Sequence, residues 1–268
     1  MKAIHIDKFV SNVTDLKPTT ISNPSSKSSQ DIHIKITHAA VTHVDLLYAQ
    51  GLHQNNRRHV QPPFILGTEY AGFVTHSPPS SSFPSGTRVF GGGLGAYAEQ
   101  ICVSEPSIRR VPSQWTNAEA CAVGASGAVS YGALISVAQL KAGETVLVLG
   151  ASGGLGVMAV QIAKAVGARV IAVVGGKEKT GVVRSVGADE RFGEDGRRDP
   201  QRTQDVWDGF MKLVEDGKIR PVIYKEDYWG LEAVSRALED VRERKAWGRA
   251  VTRVCEVEED KTEQKARL

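Results

Sequence analysis

The segment Thr145–Val160, TVLVLGASGGLGVMAV, carries the clearest chemical pattern in this chain. A continuous apolar run ends at Gly150, small residues follow, and the spacing predicts a helix from about Leu155 to Val166. A strand that hands over to a helix through glycines offers an anion unpaired backbone N–H groups and the positive end of the helix dipole. Glycines in that context meet three needs: a tight turn, close approach of backbone to a diphosphate, and close packing of helix on strand. Gly150, Ser152, Gly153, Gly154, Leu155 and Gly156 are therefore the candidate dinucleotide-binding residues, the alternative being a turn that holds no ligand. Gly93-Leu94-Gly95-Ala96-Tyr97-Ala98 fits the same loose spacing, but AYAEQICV reads as a strand, so that stretch is assigned to packing.

The following strand, expected over Arg169–Val174, discriminates between cofactors. A site for NAD places an acidic residue about 20 residues beyond the loop to accept from the ribose hydroxyls. Here the chain reads Val173-Val174-Gly175-Gly176-Lys177-Glu178-Lys179, with no carboxylate at the strand tip and two lysines close behind. Gly176, Lys177 and Lys179 join the candidate set, and NADPH is expected over NADH. The alternative for both lysines is a solvated helix start.

These residues need a scaffold, and the composition supports one. With 268 residues, 41% apolar and 24% charged, the chain has the make-up of a globular protein with one large domain or two modest ones. A net charge of +3 is too small for a nucleic-acid footprint, so no DNA or RNA partner is expected. Cys102, Cys121 and Cys255 lie far apart with no CxxC pair, which excludes a disulfide framework and a cysteine-built zinc cluster. No uninterrupted apolar run reaches bilayer length, so no membrane association is expected.

Before Asn117 the pattern is that of strands. Ile32, Ile34 and Ile36 alternate with polar residues, and strand signals recur at Gly72–Thr75, Thr87–Phe90 and Gln100–Val103 between Pro, Ser and Gly clusters. A β-barrel or rolled sheet is expected there, and an α/β arrangement from Thr145 onward. Amphipathic helices are expected around Asp205–Asp216 and Gly230–Arg244, with a closing strand at Arg249–Val254.

Read together, these segments resemble the medium-chain dehydrogenase/reductase superfamily, in particular its zinc-free quinone oxidoreductase, or zeta-crystallin-like, branch. The resemblance rests on Pro63-Phe64-Ile65-Leu66-Gly67-Thr68-Glu69-Tyr70-Ala71-Gly72, Gly86-Thr87-Arg88-Val89-Phe90, Gly95-Ala96-Tyr97-Ala98-Glu99, the glycine turn continuing into Gln161-Ile162-Ala163-Lys164, and Gly187-Ala188-Asp189. It covers Met1 to about Phe192 and resumes over about Val206–Val254. It implies an α/β fold: a GroES-like β-barrel catalytic domain, residues 1–122 completed by 219–268, and a truncated Rossmann-type parallel sheet, residues 123–218. NADPH and substrate would lie in the cleft between the two domains. Where zinc-dependent relatives carry a Cys and a His, this chain has Thr42 and Thr68, so no metal is expected. The resemblance implies hydride transfer from NADPH to a quinone, enone or enoyl group, with Thr42 on the cofactor side and His43 or Tyr48 as proton donor.

A part count complicates this. A doubly wound dinucleotide domain has two mononucleotide-binding halves and six strands. This chain supplies two strands and a stub near Glu190–Phe192 before the closing segment, so the nicotinamide-side half is missing. Val146, Val148 and their neighbours are expected to form an exposed apolar sheet edge, open to homodimerisation or aggregation unless a partner chain or the Asp205–Asp216 helix covers it. Two accounts follow. One is an NADPH-dependent reductase, working alone or as a homodimer, with a role in small-molecule biosynthesis. The other is a degenerate, non-catalytic paralogue that binds nucleotide weakly or acts by association. The cysteine usage fits a cytoplasmic setting, and the terminal Ala266-Arg267-Leu268 resembles a relaxed peroxisomal address.

Overall fold

The computed structural model of the chain describes residues 1–26, 28–175, 177–189 and 200–255, without the side chains of 177, 178 and 200–206. The expected third-strand stub, Gly176 and the terminal tripeptide lie outside the described residues. The chain divides into two compact units: Met1–Gly124 with Tyr224–Ala246 and Ala250–Leu268, and Ala125–Ile223 with Trp247–Arg249.

The first unit is built on β4. Short strands β1 (Lys2–Ala3), β2 (His5–Ile6) and β3 (Thr19–Thr20) precede β4 (Asp31–Val41), helix α1 (His43–Ala49), β5 (Phe64–Ile65), β6 (Glu69–His76), β7 (Arg88–Gly92), β8 (Gln100–Ser104) and β9 (Ile108–Arg110). The alternating isoleucines of β4 are fully buried, as their period of two requires. A register shift against β6 between Ile36 and His38 then breaks the alternation, and β4 is buried on both faces from Thr37 to Val41. One side of β4 pairs along its length with β6; the other pairs with β8 at Asp31–Lys35 and with the late strand β13 at His38–Val41. Segments from both ends of the chain thus complete one seven-stranded sheet. The strand expected to open with AYAEQ starts only at Gln100, because Gly93–Glu99 turns back against Leu66 and Gly67 through backbone hydrogen bonds.

The second unit takes over within α2 (Asn117–Tyr131), which breaks at Gly124 (φ 42°, ψ −148°). A Cβ at Gly124 would sit 2.9 Å from the Glu69 carboxyl carbon, so the break requires glycine on both counts. Helical structure continues to Val137, giving 21 residues long and apolar enough to cross a bilayer by length and composition. Of its most apolar window, 56% is buried inside the fold, as in the core helix of a globular unit. The unit continues with β10 (Thr145–Val148), α3 (Gly154–Val166), β11 (Arg169–Ala172), α4 (Lys177–Ser185) and α5 (Pro200–Glu215). The chain then returns to the first unit with β12 (Tyr228–Trp229), α6 (Val234–Arg242) and β13 (Ala250–Arg253).

β10 and β11 pair in parallel, Thr145 to Arg169 through Val148 to Ala172, the order expected of the first two strands of a dinucleotide domain. Among the described residues this parallel sheet has no third strand. Of Val146, Val148 and their neighbours, which were expected to form an apolar edge, Leu147 (48%) and Leu149 (46%) are exposed and Val148 is buried. The pleat decides this, since alternate residues of one strand face opposite ways.

Candidate functional site

The glycine turn follows from the tight connection of β10 to α3. Gly150 has φ +59°, a left-handed conformation open to glycine at little cost. Gly156 lies so close to the strand end that a Cβ there would fall 2.5 Å from both the Ala151 Cα and the Gly150 carbonyl oxygen. The third role foreseen for these glycines, helix against strand, is therefore carried by Gly156. Gly153 is the N-cap of α3 in extended backbone, and no side chain caps the helix. The N–H groups of Gly154, Leu155 and Gly156 in the first turn have no intrahelical acceptor, which is the arrangement an anion completes. Ser152 is buried, and its carbonyl accepts from Gly248 N at 2.5 Å. Leu155 is half exposed, with its carbonyl held by Ser130 Oγ at 2.9 Å.

That bond to Ser152 belongs to a feature the sequence reading missed. Residues Trp247–Arg249 return to the second unit, where Gly248 forms a parallel bridge with Gly153. The next side chain, Arg249, is 6% exposed and lies against Gly154, with Nη2 donating to Ser126 Oγ. A Cβ on Gly154 would sit 2.7 Å from the Arg249 guanidinium carbon. A buried guanidinium thus stands beside an uncapped helix N-terminus, two donors for anionic oxygens from distant parts of the chain. The only sequence signal was a Gly-Arg pair in the closing segment.

The lysine candidates fare differently. Lys179 is 8% exposed on α4, so the solvated helix start does not describe it, and it is not a free arm beyond the strand tip. Lys177 opens α4, but its side chain lies outside the described residues, and Gly176 does so entirely.

In the first unit, Thr42, His43, Asp45 and Tyr48 cluster at α1. Thr42 caps the helix in a reciprocal box: Asp45 N donates to Thr42 Oγ1 at 3.3 Å, and Thr42 N donates to Asp45 Oδ2 at 2.8 Å. Thr68 Oγ1 donates to Asp45 Oδ1 at 2.9 Å and Tyr97 Oη to Oδ2 at 2.8 Å. Asp45 is fully buried, and burial outweighs these hydrogen bonds, pushing its carboxyl from 3.8 up to about 6. The two positions compared with zinc ligands therefore hold hydroxyls committed to a carboxylate. That donor set does not fit zinc, which takes thiolate, imidazole and carboxylate ligands. Among the described residues no group of three or more His, Cys, Asp or Glu is placed to hold a metal ion.

His43 and Tyr48 stand five residues apart on α1, about 140° around the helix, so they do not share a face. His43 is exposed. Tyr48 is buried, stacked on His53 with centroids 4.2 Å apart, and its oxygen accepts from Asn55 Nδ2 at 2.9 Å.

Comparison with known proteins places the chain among oxidoreductases. Residues 28–113 match the Alcohol dehydrogenase GroES-like domain family, and residues 154–217 the Zinc-binding dehydrogenase family. Human quinone oxidoreductase is 31% identical over 195 residues, covering 72% of this chain and 58% of that protein. The chain thus spans little more than half the length of that curated relative. A probable oxidoreductase from Mycobacterium abscessus superposes with a TM-score of 0.81 at 29% identity, over 94% of this chain and 98% of that one. Escherichia coli quinone oxidoreductase, solved in complex with NADPH, superposes with a TM-score of 0.80 at 18% identity, over 94% and 100% of the two chains, and shares the fold. The chain belongs to the medium-chain dehydrogenase/reductase superfamily, in its quinone-oxidoreductase-like branch.

Proposed function

We propose that this protein is an NADPH-dependent, zinc-independent reductase of a quinone or conjugated carbonyl. The observation that carries the reading is the uncapped N-terminus of α3 with the buried Arg249 guanidinium beside it. The amides of Gly154, Leu155 and Gly156 and the Arg249 guanidinium would hold the cofactor diphosphate, and Gly150 and Gly156 keep side chains out of the turn. The strand tip without a carboxylate, Val173-Val174-Gly175, supports NADPH over NADH. When bound, NADPH supplies a hydride; the chain supplies orientation and a proton, with Tyr48 and His43 as the donor candidates. The NADPH complex of the Escherichia coli relative supports the same cofactor class.

Fluorescence titration with NADPH, followed by NADPH oxidation against a panel of quinones and enones, tests the proposal. Saturable binding with oxidation of NADPH by at least one acceptor is expected. Arg249→Gln is expected to weaken NADPH binding by roughly 10- to 100-fold, the range for one lost charge-assisted hydrogen bond. An unchanged dissociation constant would remove Arg249 from the site.

A second reading has its own observation. With two parallel strands among the described residues, and Leu147 in β10 and Leu149 just after it exposed, the second unit offers half a dinucleotide domain and an apolar edge suited to homodimerisation. On that reading the chain binds nucleotide without turnover: NADPH binds saturably, and no acceptor oxidises it.

A further inference from the structure

We propose that Asn55 is a positioning residue that commits Tyr48, and not His43, to proton donation; this rests on the reductase reading above. The argument starts from the short turn Gln54–Arg57 that follows α1. Asn55 uses both of its nitrogens there. Its backbone N–H donates to His53 Nδ1 at 3.2 Å, which places the proton of the neutral ring on Nε2. Its side-chain Nδ2 donates to Tyr48 Oη at 2.9 Å. The two rings it touches are stacked at 4.2 Å with 26° between their planes, and the edge of Phe64 closes on Tyr48 at 6.4 Å. The phenol is therefore held by aromatic contacts on two sides and by one directed hydrogen bond at its oxygen.

The direction of that bond is what matters. A phenol oxygen donates one proton and accepts at its lone pairs. Asn55 fills an acceptor site, so the O–H proton has to be given elsewhere, and among the described residues no acceptor takes it. The reaction supplies one: hydride addition to an enone or quinone leaves an enolate or hydroquinone anion that requires one proton. The Tyr48 O–H bond breaks as the new bond to carbon or oxygen forms, and the phenolate left behind keeps the Asn55 N–H bond until water restores its proton. One hydride and one proton are consumed per double bond or quinone reduced. His43 has no such arrangement: it is exposed, on a different face of α1.

The test pairs Asn55→Asp with Tyr48→Phe. A carboxylate at position 55 accepts from the phenol in place of donating to it, tying up the proton. Both single variants are expected to lower kcat by about 100-fold, the low end for loss of a general acid, while KM for NADPH changes by less than about twofold. The double variant is expected to be no slower than Tyr48→Phe alone, since both changes remove one proton. Independently of turnover, one Asn55 Nδ2 proton is expected to be protected from exchange in 15N-edited spectra and to lose that protection in Tyr48→Phe. Losses that multiply in the double variant, or an Asn55→Asp enzyme with wild-type kcat, overturn the proposal. If the wild-type chain oxidises no NADPH, the reductase reading falls and the exchange experiment decides the hydrogen bond: an Asn55 amide indifferent to Tyr48→Phe overturns it, and lost protection supports it.

Discussion

Gly153→Asp is expected to leave the chain folded and to weaken NADPH binding by at least about 100-fold. The position accepts a side chain because its backbone (φ −79°, ψ 172°) is one that any residue adopts. A Cβ there meets only the Gly150 carbonyl oxygen, at 3.3 Å, which a shift of tenths of an ångström relieves. Aspartate is also among the best N-cap residues, and its carboxylate would accept from the first-turn amides of α3 that glycine leaves open. Fold stability is therefore expected to hold or to rise by a few tenths of a kcal/mol. The same carboxylate occupies the anion position and repels a diphosphate, so the gain in capping is a loss in binding. Fluorescence titration alongside a thermal melt reads both effects. Unchanged NADPH affinity in a folded Gly153→Asp protein would mean that the diphosphate is not held at this turn. Gly156 is the wrong place for the experiment: its Cβ meets backbone at 2.5 Å, so substitution there disturbs folding and binding together.

Asp45→Ala is expected to destabilise the first unit by roughly 3–5 kcal/mol, because it strands buried donors whose acceptor is removed. Thr42 N, Thr68 Oγ1 and Tyr97 Oη all converge on that carboxylate at 2.8–2.9 Å. The pH dependence gives a sharper signature. Burial raises the folded-state value to about 6 from 3.8, so between these values the folded chain holds a proton that the unfolded chain releases. The stabilising contribution of this group is complete below about pH 4 and is lost as pH rises to about 6, by about 3 kcal/mol at order of magnitude. Above that range it is flat. Asp45→Asn, which keeps the volume and removes the titration, is expected to flatten this segment of the stability profile. Urea unfolding at pH 4, 5, 6 and 7 makes the comparison; identical slopes in the two proteins would exclude Asp45 as the titrating group.

How much of this was legible in the sequence depends on the range of the interactions. The turn from β10 into α3 is a local event, and one window from Thr145 to Val166 contains the apolar strand, the glycines and the amphipathic helix that produce it. β4 was visible for the same reason, up to the point where its bulge ended the alternation. The burial of Lys179 was not legible because it depends on which face of α4 turns inward, a property of packing that composition near the helix start does not contain.

Residue types and spacing, taken alone, determined the class of this protein: a strand-rich first part, a parallel βα unit with a glycine turn, hydroxyls where zinc ligands would stand, and too few strands to complete a dinucleotide domain. The tertiary structure alone decided which side chains meet. Arg249 reaches the glycine turn through the bridge of Gly248 to Gly153, and Tyr97 reaches Asp45 across 52 residues of chain. Those encounters arise from pairing between distant segments, whose energies are set by burial and hydrogen bonding in the assembled fold, and no local window of sequence carries that information.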